Sequence, residues 1–371
     1  MSEENILPAE VETDWRVLLK MLPVNWRALA ASTKAISRRP KGFKSEEDVL
    51  RAILLHVAGG YSLRETVARL KIANIANVSD VTLLKRLRCS EVWLRELCLH
   101  LLYERSVGTP SQDGTIKMRL VDGTIVKEPG KTGSQWRIHY SLLLPDLTCD
   151  YFKLTETTGR GTGESFKQFP VSKNDCIIGD RGYSTAQGLV HLASKGAYAL
   201  VRVNYGALQF YTKEKQKFDL FSSAKSIENE FESREFEATV LGPSNEEIVG
   251  RICVIRKSRV AAELAIKKMI SAAKKAQKHV CEETIEFAKY VIVFTTLPAD
   301  KYPLNEVLNW YRIRWQIELV FKRLKSLAEL GHLPKHDEAS SRAWLYGKLL
   351  TGLLIEKLIR YAKSISPWGY L

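Results

Sequence analysis

The chain has 371 residues, is 45% hydrophobic, and carries 56 Lys plus Arg against 42 Asp plus Glu, a formal net charge of +14. That length supports a sizeable core divided into two or three units, and that apolar fraction excludes a disordered chain. The basic excess points to a polyanionic partner, above all nucleic acid, because cations that neutralise phosphates release the counterions around them.

In chain order, the opening MSEENILPAEVETDW is acidic and polar, unlike a secretion signal, and no apolar run approaches membrane-spanning length. Residues 12–104 read as helical. Ser45-Glu46-Glu47-Asp48 resembles a capping box before the apolar positions Val49, Ile53, Leu54 and Val57. Gly59-Gly60 ends that helix, Ser62-Leu63-Arg64-Glu65 opens another, Ser79-Asp80 a third and Ser90 a fourth. Short helices, tight turns and a basic third member fit a helix-turn-helix type of DNA reader, and equally a plain helical bundle. Between the early helices KAISRRPKGFK, residues 34–44, concentrates cations, as a solvated linker or a phosphate-tracking arm does.

From about residue 115 the period changes to that of strands. KMRLVDGTIV, WRIHYSLLLP and CDYFKLTET are three β-rich runs; NDCIIGDRGY predicts a short buried strand ending at Asp180. YSTAQGLVHLASKG predicts a helix and AYALVRVN a strand, so this region is an α/β unit with a mixed sheet. LQFYT, FDLF, REFEATVL and IVGRICVIRK then alternate like further strands, followed by a very basic helix, AAELAIKKMISAAKKAQKH, and the apolar strand YVIVFTTLP. The six cysteines lie far apart with no C-x-x-C pair and only seven His accompany them, so neither a zinc site nor a disulfide framework is indicated. Reduced thiols fit a cytoplasmic protein.

WYRIRWQIELVFKRLKSL, residues 310–327, predicts one helix with two polar faces. At about 100° per residue, with Glu318 at zero, Tyr311 falls near about +20°, Arg314 near about −40° and Lys325 near about −20°. Large apolar residues border that stripe, while Arg312, Gln316 and Arg323 form the better solvated face, so the stripe predicts a cleft. The bland alternative is an i,i+4 ion pair between Arg314 and Glu318. Two further carboxylates weigh against it: Asp122, where MRLV meets Gly123-Thr124, and Asp180, where CIIG meets Arg181-Gly182-Tyr183. Asp113-Gly114-Thr115 repeats the tripeptide in a polar loop and ranks below Asp122. Three convergent carboxylates without His or Cys form an oxygen-rich site suited to Mg²⁺ or Mn²⁺. Two such ions serve in-line displacement at a phosphodiester.

At these residues the chain resembles a family. Tyr311, Arg314, Glu318 and Lys325 match the Y-(2)-R-(3)-E-(6)-K signature of bacterial insertion-sequence transposases of the insertion-sequence-four type. Val121-Asp122-Gly123-Thr124 and Asp180-Arg181-Gly182-Tyr183 are similar to its two aspartate motifs. The resemblance implies an RNase H-like catalytic core interrupted by a β-rich insertion, with Asp122, Asp180 and Glu318 as a triad holding two Mg²⁺ (or Mn²⁺) ions. It implies cut-and-paste transposition through hairpin ends, by a homodimer on paired double-stranded DNA ends, with Tyr311, Arg314 and Lys325 holding DNA. Arg202 and Asn204 are further candidate DNA contacts; Tyr205, Phe210 and Tyr211 are candidates for gripping a flipped base. The expected division is 1–104, a helical DNA-binding region; 105–203 and 287–335, the two parts of the core; 204–286, the insertion; and 336–371, a short C-terminal helical region. The family commonly carries a longer C-terminal region, so the resemblance also allows a truncated, catalytically silent copy that binds DNA as a regulator.

Overall fold

The computed structural model describes residues 7–36, 42–107, 116–127, 135–159, 161–326, 329–330, 333–334 and 337–364. Asp113-Gly114-Thr115 and the middle of the 34–44 basic run lie outside them. The elements in chain order begin with α1 (Leu7–Met21), α2 (Trp26–Ser32), α3 (Glu46–Gly59), α4 (Leu63–Ile72), α5 (Asp80–Cys89) and α6 (Glu91–Val107). Then come β1 (Lys117–Lys127), β2 (Gln135–Leu143), β3 (Thr148–Glu156), β4 (Asp175–Gly179), α7 (Ala186–Ser194), β5 (Tyr198–Arg202) and α8 (Leu220–Lys225). The rest are β6 (Ser233–Leu241), β7 (Glu247–Arg256), α9 (Arg259–Lys275), α10 (Glu282–Phe287), β8 (Tyr290–Thr295), α11 (Leu304–Ile313), α12 (Trp315–Ser326) and α13 (Glu338–Ser364).

The chain divides into two compact units: Met1–Pro110 with Ile125–Arg137 and Val320–Leu371, and Ser111–Thr124 with Ile138–Leu319. In the first, hydroxyl side chains start the helices at the positions their sequence marks. Ser45 and Asp48 form a complete capping box on α3, and Gly60, left-handed at φ 67°, ends it. Ser62 and Ser79 cap α4 and α5 by accepting from the Glu65 and Thr82 amides. Each cap satisfies backbone donors that a helix start otherwise strands. The core is α13 laid against α6, α3 and α5, with Trp93, Leu94, Leu97, Trp344, Leu345 and Leu350 all buried. Asp337 caps the start of α13 with its carboxylate on the Ser340 amide (3.0 Å) and takes a salt bridge from Arg88 (2.9 Å).

The second unit is organised by an eight-stranded mixed sheet, in the order β3-β2-β1-β4-β5-β8-β7-β6. β1, β4 and β5 run parallel, with Leu120 opposite Ile178 and Ile178 opposite Leu200. β4 is buried along its whole length, as a strand covered on both faces must be. β8 runs antiparallel to both β5 and β7. β7 therefore points the same way as β5, and the C-terminal ends of β1, β4, β5 and β7 share one edge. Arg119, buried on β1, ties its neighbours by ion pairs to Asp150 of β3 (2.7 Å) and Asp175 of β4 (3.3 Å).

Segment 204–286 adds β6 and β7 to this same sheet. Two runs within it are not the strands their alternation predicts: LQFYT is loop with two isolated bridges at Tyr211, to Lys217 and Thr239, and FDLF leads into α8. Strand propensity reports a fit to a half-buried pleated surface, and these residues meet a cavity wall and a helix cap instead. The basic helix α9 buries only Ala262. Among the described residues, no helix is long and apolar enough to cross a membrane.

Candidate active site

Asp122 does not end its strand, as its Gly-Thr sequel predicts. β1 continues through Gly123 and Thr124 to Lys127, outrunning the short β4. The parallel register explains what this achieves. The register ends at Leu120 opposite Ile178; carried two residues on it brings Asp122 to the side of Asp180, the first residue past β4, and the Asp180 charge is felt at Asp122. Asp180 caps the turn Arg181–Tyr183 by accepting from the Gly182 amide at 2.8 Å. Tyr183 anchors that turn, fully buried beside Phe166 and Phe169. Asp122 takes the Gly123 amide at 2.7 Å.

Glu164 joins them. A Cβ at Gly182 would stand 2.1 Å from the Glu164 carboxylate and 3.2 Å from that of Asp180, so the glycine is what lets both acids close over the turn. Burial pushes the Asp122 carboxyl up to about 7; Asp180 and Glu164 add to the rise, against the Gly123 N–H and Arg314, which lower it. Glu164 was not singled out by sequence reasoning, because it sits in a glycine-rich loop, TTGRGTGES, with no partner motif.

The helix predicted over 310–327 is two helices, α11 and α12, meeting at Arg314. The junction tightens to i→i+3 bonds, the Arg314 amide to the Tyr311 carbonyl (3.1 Å) and the Ile317 amide to the Arg314 carbonyl (3.2 Å). This breaks the angular phase that placed Tyr311 and Glu318 on one enclosed face. Tyr311 is buried, whereas the Glu318 side chain is 59% exposed. The i,i+4 ion pair does form, Arg314 to Glu318 at 2.5 Å. Arg314 is itself only 14% exposed and turns its other side to Asp122, 4.0 Å away. One guanidinium thus stands between two of the three expected carboxylates. Tyr311 lies beside it, 6.0 Å from ring centroid to guanidinium, its hydroxyl buried without a well-aligned hydrogen-bond partner among the described residues. Burial raises the tyrosine's proton affinity, opposed by Arg314 and Arg202.

The donor set, all carboxylate oxygen, is that of a hard divalent cation, and the high proton affinity of Asp122 marks a place where positive charge is wanted. As the side chains stand, no three acids, histidines or cysteines among the described residues are close enough to enclose an ion. Asp122 and Asp180 interact electrostatically, whereas the Glu318 carboxylate is turned to Arg314.

Arg202 ends β5 at the same edge, its Nε buried without a hydrogen bond among the described residues and its charge disfavoured by burial and by Arg181 and Arg314, against Tyr311 and Asp180. Asn204, two residues on, accepts the Gly206 amide at 3.3 Å and so braces its own turn. Lys325 is exposed on α12, in the other unit from the aspartates. Of the three aromatic candidates, Phe210 is core and Tyr211 belongs to the isolated bridges. Tyr205 stacks on Phe287 (4.3 Å) at a cavity of about 380 Å³ that Phe210, Phe218 and Phe221 also line.

Residues 156–354 match the family model described as "Transposase DDE domain", a span that contains Asp180 and Glu318. The chain is 31% identical over 365 residues to the transposase of insertion sequence IS186A of Escherichia coli K12, covering 95% of this chain and 96% of that protein. It is 31% identical over 366 residues, with the same coverage, to the transposase of insertion sequence IS421 of Escherichia coli. With the transposase of IS231F of Bacillus thuringiensis subsp. israelensis it shares 24% identity over 191 residues, 47% of this chain and 40% of that one.

Proposed function

We propose that this chain, which belongs to the DDE transposases of bacterial insertion sequences, moves its element by cut-and-paste transposition from an RNase H-like core. DNA strand cleavage and strand transfer are the chemistry of that family. The observation that carries the reading is Arg314 between Asp122 and Glu318, with the Asp180 charge acting on Asp122 from the end of the parallel neighbour β4. The parallel β1, β4 and β5, delivering these residues to one edge, support the RNase H-like core. On this reading 204–286 is the insertion, joined to the core sheet through β7.

Asp122, Asp180 and Glu318 would hold divalent ions, Mg²⁺ or Mn²⁺. Bound there, two such ions activate the attacking oxygen and stabilise the leaving one. The protein's own part is positioning. Tyr311 and Arg314 offer a phenol and a guanidinium to the phosphate at the element's end, and Lys325, Arg202 and Asn204 contact the adjoining strand. A phosphate competes with Glu318 for Arg314. DNA arrival therefore releases the third carboxylate, so that the site is completed only around its substrate. Water hydrolyses one strand to free a 3′-hydroxyl, and that hydroxyl attacks the opposite strand's phosphodiester, expelling the flanking DNA as a hairpin closes. A second water reopens the hairpin, the regenerated 3′-hydroxyl attacks target DNA, and two copies act on paired ends.

The test is incubation of the protein with Mg²⁺ and a linear duplex carrying one end of the element, resolved on denaturing gels. Nicked and hairpin products are expected, and Glu318→Gln abolishes them with end binding retained. Cleavage that survives Glu318→Gln sinks the assigned site. End binding without cleavage by the wild type would instead favour a DNA-binding regulator.

A further inference from the structure

Three cations from three separate elements meet at the C-terminal edge of the sheet. Arg181 lies in the turn after β4, Arg202 at the end of β5 and Lys257 just past β7. β5 and β7 run the same way with β8 between them, and Arg202 and Cys253 both stand opposite Val293, so Lys257 emerges from the same edge four residues further along. Lys257 is held there. Its amide donates to the Lys289 carbonyl (2.9 Å) and its ammonium to the Ala288 carbonyl (2.6 Å). Its half-buried charge is opposed by burial and by the nearby Arg202 and Arg181. Arg181 in turn lies over the Tyr205 ring, 5.9 Å from its centroid.

Neighbouring cations are all answered. Lys289 pairs with Glu286, Arg259 with Glu263 and Arg234 with Glu232, while Arg256 donates to the Ile227 carbonyl and the Tyr290 hydroxyl. Arg181, Arg202 and Lys257 form no salt bridge with a carboxylate among the described residues. Asp180 answers Arg202 only at a distance, without an ion pair, and gathering three positive charges so incompletely balanced raises the folded state's energy, so the arrangement makes sense as a seat for an anion. Its breadth, fork-shaped arginine donors and a rigidly held ammonium suit a phosphodiester group better than a small free anion.

We propose that Lys257, Arg181 and Arg202 form a second phosphate seat, taking a backbone phosphate of the bound DNA strand separate from the one held by Tyr311 and Arg314. This rests on the transposase reading above. The seat leads from Asp180 toward the Tyr205 cavity, and so gives the strand a fixed heading across the sheet edge.

The experiment is fluorescence anisotropy of the full chain with a short fluorescein-labelled duplex, titrated over a series of KCl concentrations. Each phosphate contact contributes about 0.9 to the slope of log K against log salt. Lys257→Gln and Arg181→Gln are each expected to flatten the slope by about that amount, and Lys257→Arg to leave it unchanged. A lysine that only braces the β7 end would lower the melting temperature and leave the slope where it was. Salt-dependent binding by wild type with an unaltered slope in both Gln variants overturns the seat while leaving the DNA reading intact. Absence of salt-dependent duplex binding by wild type overturns both. If Lys257→Gln fails to fold, Arg181→Gln, at an exposed turn, decides the question.

Discussion

Asp122→Asn tests whether the site is built at the expense of the fold. In the metal-free protein the Asp122 carboxyl is raised by burial from 3.8 to about 7, with Asp180 and Glu164 adding to the rise. Each unit corresponds to about 1.4 kcal/mol, so the ionised side chain costs the folded state up to about 4 kcal/mol. The sign follows from proton counting. Between the two pKa values the folded protein binds more protons than the unfolded chain, so wild-type stability falls as pH rises toward 7 and stays low above it. Asn cannot ionise and still offers an oxygen to the Gly123 amide. Asp122→Asn should therefore match wild type near about pH 4 and exceed it by about 2–4 kcal/mol near about pH 8.5, by urea denaturation in EDTA. Mg²⁺ should close the gap by stabilising wild type alone, by about 2.7 kcal/mol at a hundredfold excess over its Kd. A gain that is equal at both pH values, or no gain at all, would refute the argument.

Arg119 and Lys348 provide opposite tests of buried charge. Arg119→Ala leaves the largely buried Asp150 with Lys117 (3.8 Å) as its remaining cation and Asp175 with none among the described residues, and should cost about 3–5 kcal/mol in denaturant unfolding; a loss under about 1 kcal/mol means the two carboxylates are solvated. Lys348 is 1% exposed on α13, its ammonium 4.0 Å from Glu329 and without a hydrogen bond among the described residues. Lys348→Met should raise stability by about 1 kcal/mol or more near neutrality. Burial lowers the proton affinity of Lys348, so wild type regains stability as pH climbs toward the unfolded value of about 10.4 and the advantage of Met shrinks; an advantage that grows with pH contradicts this.

Where structure followed from neighbours in the chain, the sequence was a sufficient guide. Ser45, Ser62 and Ser79 cap the helices they precede because a hydroxyl beside a free amide three residues on needs nothing from the rest of the fold. β4 was legible because a strand buried on both faces must be apolar throughout, and β1 and β5 because their β-rich runs are bounded by Gly, Asp and Asn. Asp122, Asp180 and Glu318 stood out as acids placed beside apolar runs. The single helix expected over 310–327 departs at a local detail: the tightened turn at Arg314 divides it in two, and no residue type there announces it.

What was illegible depends on crossings between distant segments. Glu164 matters because a loop brings it over Gly182, and Lys257 because the antiparallel β8 turns β7 back into the direction of β5. A single strand fewer in that crossing would send Lys257 to the opposite edge, away from Arg202, and leave Arg202 facing Arg181 alone. On the proposed reading the strand count between β5 and β7 is part of the phosphate seat: segment 204–286, by returning its chain in the direction of β5, sets Lys257 at the edge where Arg202 emerges, which no short motif could carry.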